Sequence, residues 1–363
     1  AYNNGSMLAV KPENGDGDFT FSRNSAATRV NAQGLVEDVA SNLPRIDYTD
    51  GCGNLKLEPQ STNLITYSED FSQWNADGDT TIESGYLAPD GTNNAYKVSG
   101  TNDALILNSV SNLGINTTRS IYARTVSGSG TASLTSYFGN TNNIFTLTEQ
   151  WQRFEVNNSI STGSTIFYGA DFRGGTLNEL ILWGANATND QDYATSYIPT
   201  TQGAISTRLA DIANNSGNAS LINSEEGVLY AEISAFEETN SFESISINNN
   251  STSDRIFMGY YTDDLYITVV NGGQAKYDVS TPINVKQNNK IAVKYKAQDF
   301  CFYLNGFKIN ASVGINGGTT PIGLSKLSFD RGDGVEPYYG KVKALAVYKT
   351  ALTDAQLTEL TTI

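Results

Sequence analysis

The sequence predicts an all-β protein built from two antiparallel β-sandwiches, and three observations carry that expectation. Short runs in which apolar and polar residues alternate recur along most of the chain, separated by clusters of Gly, Asn, Ser and Asp. Only one stretch, close to the end, has helical spacing. Charged residues make up just 17 % of the 363 positions, so the polar surface is made of amides and hydroxyls more than of ions.

Taken in order, residues 1–60 lack regular periodicity and read as an extended N-terminal attachment or oligomerisation segment. Asn14-Gly15-Asp16-Gly17-Asp18 is a turn cluster, and Phe19-Thr20-Phe21-Ser22-Arg23 alternates as a strand does. With too few apolar residues for a core of its own, this segment must lie on a domain or on a partner chain. Residues 61–203 read as a jelly-roll sandwich, with strands at 104–107, 120–124, 144–147, 151–156, 165–169 and 178–183 and turns at Gly128-Ser129-Gly130, Gly139–Asn143 and Gly174-Gly175. Residues 204–226 are polar and read as a linker. From 227 to 363 a second sandwich begins with a clean alternation over Gly227–Phe236, and Asn271-Gly272-Gly273 and Asn305-Gly306 mark hairpins. Thr353 can cap a short helix in which Leu357 and Leu360 share a face.

Composition excludes several functions. The chain has no histidine, which removes Ser-His-Asp and Cys-His catalysis and imidazole metal sites. A net charge of −15 argues against nucleic acid as a partner, because phosphate binding needs clustered Lys and Arg. No run approaches the ~20 apolar residues of a membrane span, so membrane insertion is not expected. The first residues carry no basic and apolar leader pattern, and synthesis in a cytoplasm is the expectation. Cys52 and Cys301 lie far apart and are expected to be reduced, buried thiols.

Two loop-like clusters place aromatics beside acids: Tyr260, Tyr261 and Asp263, and Asp330, Asp333, Tyr338 and Tyr339. An aromatic face with nearby oxygen acceptors is what the apolar face and hydroxyls of a sugar require, which makes these the candidate glycan-binding residues. The competing reading is that the tyrosines cover sandwich edges and the acids make turns. No cofactor is expected. The oxygens of these acids, and those of Asn14–Asp18, are nevertheless of the kind that calcium takes. Arg331-Gly332-Asp333 also spells an integrin-binding tripeptide, which a Gly-Asp turn accounts for.

Three stretches resemble known families. Phe19–Arg23, Thr28–Asn31, Gly34–Glu37, Asn42–Tyr48 and Leu57–Leu64, followed by Tyr67–Phe71, resemble a segment of tail, head-fibre and spike proteins of tailed bacteriophages. Trp183-Gly184-Ala185 and Tyr193–Thr200 resemble the closing signature of the jelly-roll module that usually follows it. The match departs at Leu43, Ser61 and Asn186-Ala187. Phe302–Gly306, Tyr338–Tyr348 and Ala351–Leu357 are similar to concanavalin A-like, laminin-G-like sandwiches. The resemblance implies a structural protein on the exterior of a phage particle, a head fibre, decoration or tail fibre, in contact with other virion proteins and trimeric. Its distal sandwich would meet host-surface glycans. In glucanases of the concanavalin A-like fold the acids alternate on one strand as Glu-x-Asp-x-(x)-Glu; Glu232-Ile233-Ser234 and Glu237-Glu238 come nearest and both fail, so no enzyme is expected. The alternative is a carbohydrate-binding protein or a polysaccharide depolymerase.

Overall fold

The computed structural model describes residues 2–3, 6–7, 17–101, 104–110, 116–137, 143–159, 166–189, 191–309 and 318–363. Residues 14–16 of the first turn cluster, with the calcium reading placed there, and the turn over 139–142 lie outside the described residues.

Two antiparallel sandwiches form the body. The first faces a five-stranded sheet, ordered Thr81–Tyr86, Ala95–Ser99, Glu179–Asn189, Asn116–Arg124, Gln152–Ser159, against a second one ordered Ile144–Leu147, Gly130–Tyr137, Ile166–Asp171, Leu105–Val110, Asn75–Asp77. Period-2 alternation puts Val98, Ile106, Ile121, Leu134, Tyr168 and Leu182 on the inner faces, where they are buried together. Gly169 sits where its strand presses on Leu105–Val110, and a Cβ there would overlap the carbonyl of Ile106. Gly169→Ala is expected to cost about 1–3 kcal/mol, read as a lowered urea midpoint with unchanged slope.

The second sandwich packs a seven-stranded sheet on a five-stranded one. The larger runs Phe307–Ile309, Cys301–Leu304, Asn289–Lys296, Glu226–Ala235, Gly340–Tyr348, Asn54–Leu57, Arg45–Asp47. The smaller runs Gln274–Pro282, Asp264–Asn271, Arg255–Tyr261, Glu243–Asn248, Lys326–Ser328. Both expected hairpins form with two-residue turns at positive φ, Gly272-Gly273 (59° and 75°) and Asn305-Gly306 (51° and 88°). The helix Asp354–Thr361 starts at a capping box of Thr353 and Gln356 and buries Leu357 against Val228, Tyr230 and Tyr303.

The N-terminal segment is woven into its own chain. Its strands Asn54–Leu57 and Arg45–Asp47 extend the seven-stranded sheet, with Asn54–Leu57 pairing to Gly340–Val342. Residues 204–226 are correspondingly not a free linker. Ser206–Arg208 pairs with Ser61–Asn63, Ile212–Asn214 pairs with Thr20–Ser22, and Ser216 bridges Leu327. The polar composition that suggested a linker instead satisfies strand edges. Both cysteines are free thiols; Cys301 is buried as expected, but Cys52 is exposed at the turn before the first of these added strands.

A buried ionic clasp fastens these segments. Arg45 bonds Glu58 at 2.6 Å and also Asp211, Arg208 bonds Glu58 at 2.8 Å, and Arg23 bonds Asp211 at 2.9 Å. All five side chains are at most 1 % exposed, so bulk water does not screen their charges. Ser196 of the jelly roll donates its backbone N–H to Glu58 at 2.8 Å, and Glu58 donates its own to Asp211 at 2.8 Å. Burial alone would raise the Glu58 pKa, but Arg208, Arg45 and Lys56 hold it well below the ordinary range. Burial likewise works against a charged Arg45, yet Glu58 and Asp211 leave its pKa raised.

Candidate functional site

The structure scatters the sequence-predicted glycan residues. Tyr260 lies on the central strand Arg255–Tyr261, whose inward positions Ile256 and Met258 it shares, and is 2 % exposed. Tyr338 is 1 % exposed, with its hydroxyl donating to the Ser234 carbonyl at 2.8 Å. The two rings stand 6.4 Å apart in the core, so neither can stack on a sugar. Strand alternation, which splits the Tyr260-Tyr261 pair between faces, turned Tyr260 inward, whereas Tyr338 precedes the strand Gly340–Tyr348 and is held by its hydroxyl against the Ser234 and Lys341 carbonyls. Tyr261 points the other way, into an outer cluster with Phe242 (4.9 Å) and Tyr266 (6.2 Å), and Asp263 is exposed on the two-residue turn beside it.

Asp330 is buried, which raises its pKa, and accepts the Gly332 N–H at 2.6 Å. Asp333 forms a bidentate pair with Arg331 at 2.9 and 3.0 Å, which lowers its pKa. These carboxylates build their loop, and among the described residues no three His, Cys, Asp or Glu side chains converge to hold a metal. Tyr339 is half-buried and lines a pocket between the two sandwiches.

A larger cleft lies where the N-terminal segment crosses both sandwiches, with a volume of about 590 Å³. The segment contributes Arg29, Asp47, Tyr48 and Lys56; the jelly roll contributes Tyr122, Trp151, Arg153, Glu155 and Tyr193; the second sandwich contributes Phe236 and Lys341. Strands 45–47 and 54–57, added at the edge of the seven-stranded sheet, bring Asp47 and Lys56 to one side of the cleft. Tyr193 stacks on Phe236 at 4.7 Å and 18°, joining the two sandwiches with an apolar wall. Trp151 is half-buried, its indole N–H donating to the Leu87 carbonyl at 3.2 Å and one side covered by Arg124, 5.3 Å from the ring.

Most cations of the cleft are neutralised locally. Arg29 pairs with Glu37 at 2.6 Å, Lys56 with Asp47 at 3.3 Å, and Lys341 with Asp50 at 2.5 Å. Burial opposes ionisation of Asp47, but Lys56 and the hydrogen bonds from Thr49 and Val30 leave its pKa lowered. Arg153 differs, making no ion pair among the described residues. One amino group bonds the Thr195 carbonyl at 2.7 Å, another the Ser120 hydroxyl at 2.8 Å, and the plane sits 5.4 Å from the Tyr122 ring. Its buried Nε has no partner. A fixed guanidinium beside aromatic walls can hold hydroxyls or a carboxylate of a ligand whose apolar face lies on the rings.

None of these cleft residues was a sequence-level candidate. Trp151-Gln152-Arg153 and Tyr193 were visible only as strand and signature residues, and nothing in their spacing pairs them with Tyr48 or Phe236.

No protein-family model and no curated protein matches the chain. Among solved structures it is similar to the CBM40 module of the Ruminococcus gnavus IT-sialidase bound to α2,3 sialyllactose, at 16 % identity over 41 % of this chain and 93 % of that one, with a TM-score of 0.34. It is similar to the N-terminal CBM22-1–CBM22-2 tandem of Paenibacillus barcinonensis Xyn10C at 11 % identity, over 81 % of this chain and 99 % of that one, with a TM-score of 0.28. Domains LG4-5 of the mouse laminin α1 chain match at 11 % identity over 78 % of this chain and 94 % of theirs, with a TM-score of 0.28. The assignment to two antiparallel sandwiches rests on the strand pairing of the chain itself.

Proposed function

We propose that this protein is a non-catalytic glycan-binding protein that holds a saccharide in the cleft between its N-terminal segment and its two sandwiches. The carrying observation is Arg153: a guanidinium without an acidic partner, fixed by Thr195 and Ser120, among the half-buried rings of Tyr48, Tyr122, Trp151 and Tyr193. The cleft volume lies within the ~300–1,000 Å³ range of small-molecule sites. On a glycan array the intact chain should bind a restricted set of saccharides. Trp151→Ala should weaken that binding about tenfold or more, a loss of stacking of ~1.4 kcal/mol, with the far-UV circular dichroism spectrum of the folded chain retained at the assay temperature. Silence on the array, or equal binding by the variant, removes this reading. Incubation with the bound polysaccharide should release no reducing ends, which separates it from a depolymerase.

The resemblance of residues 19–71 and 183–200 to phage fibre and spike proteins supports display of this cleft on the exterior of a virion. Residues 17–60 find their strand partners within their own chain, so a trimer rests on that resemblance alone. Light scattering of the purified chain tests the trimer, and labelled electron microscopy of phage particles tests the location.

A further inference from the structure

A second pocket, of about 360 Å³, opens on the same seam and is built from different side chains. Gln60 comes from the N-terminal segment, Gln191 from the jelly roll, and Glu237, Phe242, Glu243 and Tyr339 from the second sandwich. Glu243 is the anomaly. It opens the strand Glu243–Asn248, whose positions 245 and 247 put isoleucines in the core, so its side chain occupies a core-facing position at the end of the sandwich. It is 8 % exposed, and its buried Oε2 has no hydrogen-bond partner. A carboxyl group placed where an apolar residue would pack, and left without a protein partner, breaks the rule that buried polar groups are satisfied.

We propose that this pocket is a second binding site, for a neutral, hydroxyl-rich ligand of sugar size, which bonds to the free carboxyl of Glu243 and lies against Phe242 and Tyr339. No Lys or Arg lines the pocket, so nothing there would balance an anion. The pocket has only two carboxyls, and among the described residues no three His, Cys, Asp or Glu side chains converge to hold a metal. The polar remainder is amide and hydroxyl, from Gln60, Asn189, Gln191, Thr239 and Ser241. Gln191 is itself held, accepting the Ser61 hydroxyl at 2.8 Å, and Glu237 accepts the Asp192 N–H at 2.7 Å, so the polar rim is preorganised. Burial, reinforced by Glu237, pushes the Glu243 carboxyl up to about 9, which leaves it protonated and able to donate to a ligand hydroxyl at neutral pH. The groups facing it are Glu237 across the pocket, Tyr260 on the neighbouring strand, and Tyr338, Tyr339 and Tyr193; burial holds all four phenols above their ordinary pKa.

This site is independent of the larger cleft. The test is calorimetric titration of the full chain with cellobiose, maltose, xylobiose and lactose near neutral pH. At least one should bind the wild type and the Trp151→Ala variant alike. Glu243→Leu, which fits the core-facing position, should lose that binding about tenfold or more, while Glu243→Gln should keep it. Wild-type affinity should fall as pH rises through about 9, and that of Glu243→Gln should not. Absence of binding by all four sugars, full binding by Glu243→Leu, or a titration in which calcium chloride binds at Glu243 instead, each overturns the proposal. Loss in Trp151→Ala with retention in Glu243→Leu assigns the sugar to the larger cleft and overturns it equally.

Discussion

Glu58→Gln should lower the stability of the protein by about 3–5 kcal/mol at neutral pH, measured by urea denaturation. The clasp sets three guanidiniums, Arg23, Arg45 and Arg208, against two carboxylates, Glu58 and Asp211, all shielded from bulk solvent. The substitution leaves Arg208 without its ion-pair partner and Arg45 with one of two; the amide keeps one oxygen for the Ser196 N–H but replaces the other, which Arg45 and Arg208 share, with an NH2 donor. The pH signature follows from the lowered Glu58 pKa. Its ionised form is favoured in the fold, so its contribution is complete above the unfolded value of 4.5 and is lost as pH falls through the folded value. Wild type should therefore shed stability in acid, and Glu58→Gln should shed less. Because the clasp ties residues 20–60 to 196–211, the variant should also be cut first by protease within that segment. A destabilisation below about 1 kcal/mol would mean that packing alone holds it.

Glu243→Gln should act in the opposite direction. The folded pKa of Glu243 is raised from 4.5 to about 9, so between those values the unfolded chain ionises while the fold keeps its proton. Stability is withdrawn by about 1.4 kcal/mol per pH unit across that window, on the order of 3 kcal/mol by pH 7. A glutamine of the same shape carries no such penalty. The variant should match wild type near pH 4 and exceed it increasingly up to about pH 9. Parallel pH profiles for the two proteins would show that Glu243 is ionised in the fold. A carboxyl that costs the fold this much fits a functional position better than a structural one.

Much of the fold was legible because a strand writes its burial into consecutive residues. Gly227–Ala235 and Ile144–Leu147 fall on observed strands, and the two Gly-containing turns and the Thr353 cap sit where their local chemistry requires. The strand carrying Tyr260 was missed. Its Tyr-Tyr-Thr-Asp-Asp ending looks like a loop, while the alternation Ile256, Met258, Tyr260 that buries it starts earlier. The letters behind the phage-fibre resemblance acquire a physical reason in the structure. Arg23, Arg45, Glu58 and Ser196 are the clasp, and Asn63 spans the Ala185 and Ile198 carbonyls at 3.0 and 2.8 Å. They were legible as a pattern but not as a network, since Glu58 and Arg208 lie 150 positions apart.

The sequence by itself determined an all-β chain of two sandwiches with an acidic, histidine-free surface, because alternation, turn residues and composition are local properties. Only the tertiary structure decided that residues 45–57 complete the second sandwich, that 204–226 is a pair of strand partners, and that Tyr260 and Tyr338 are core. It also decided where the two clefts open. Their residues are gathered from positions 28 to 341 by strand pairing between distant segments, and whether an aromatic or a carboxyl faces core, cleft or water depends on what packs opposite it.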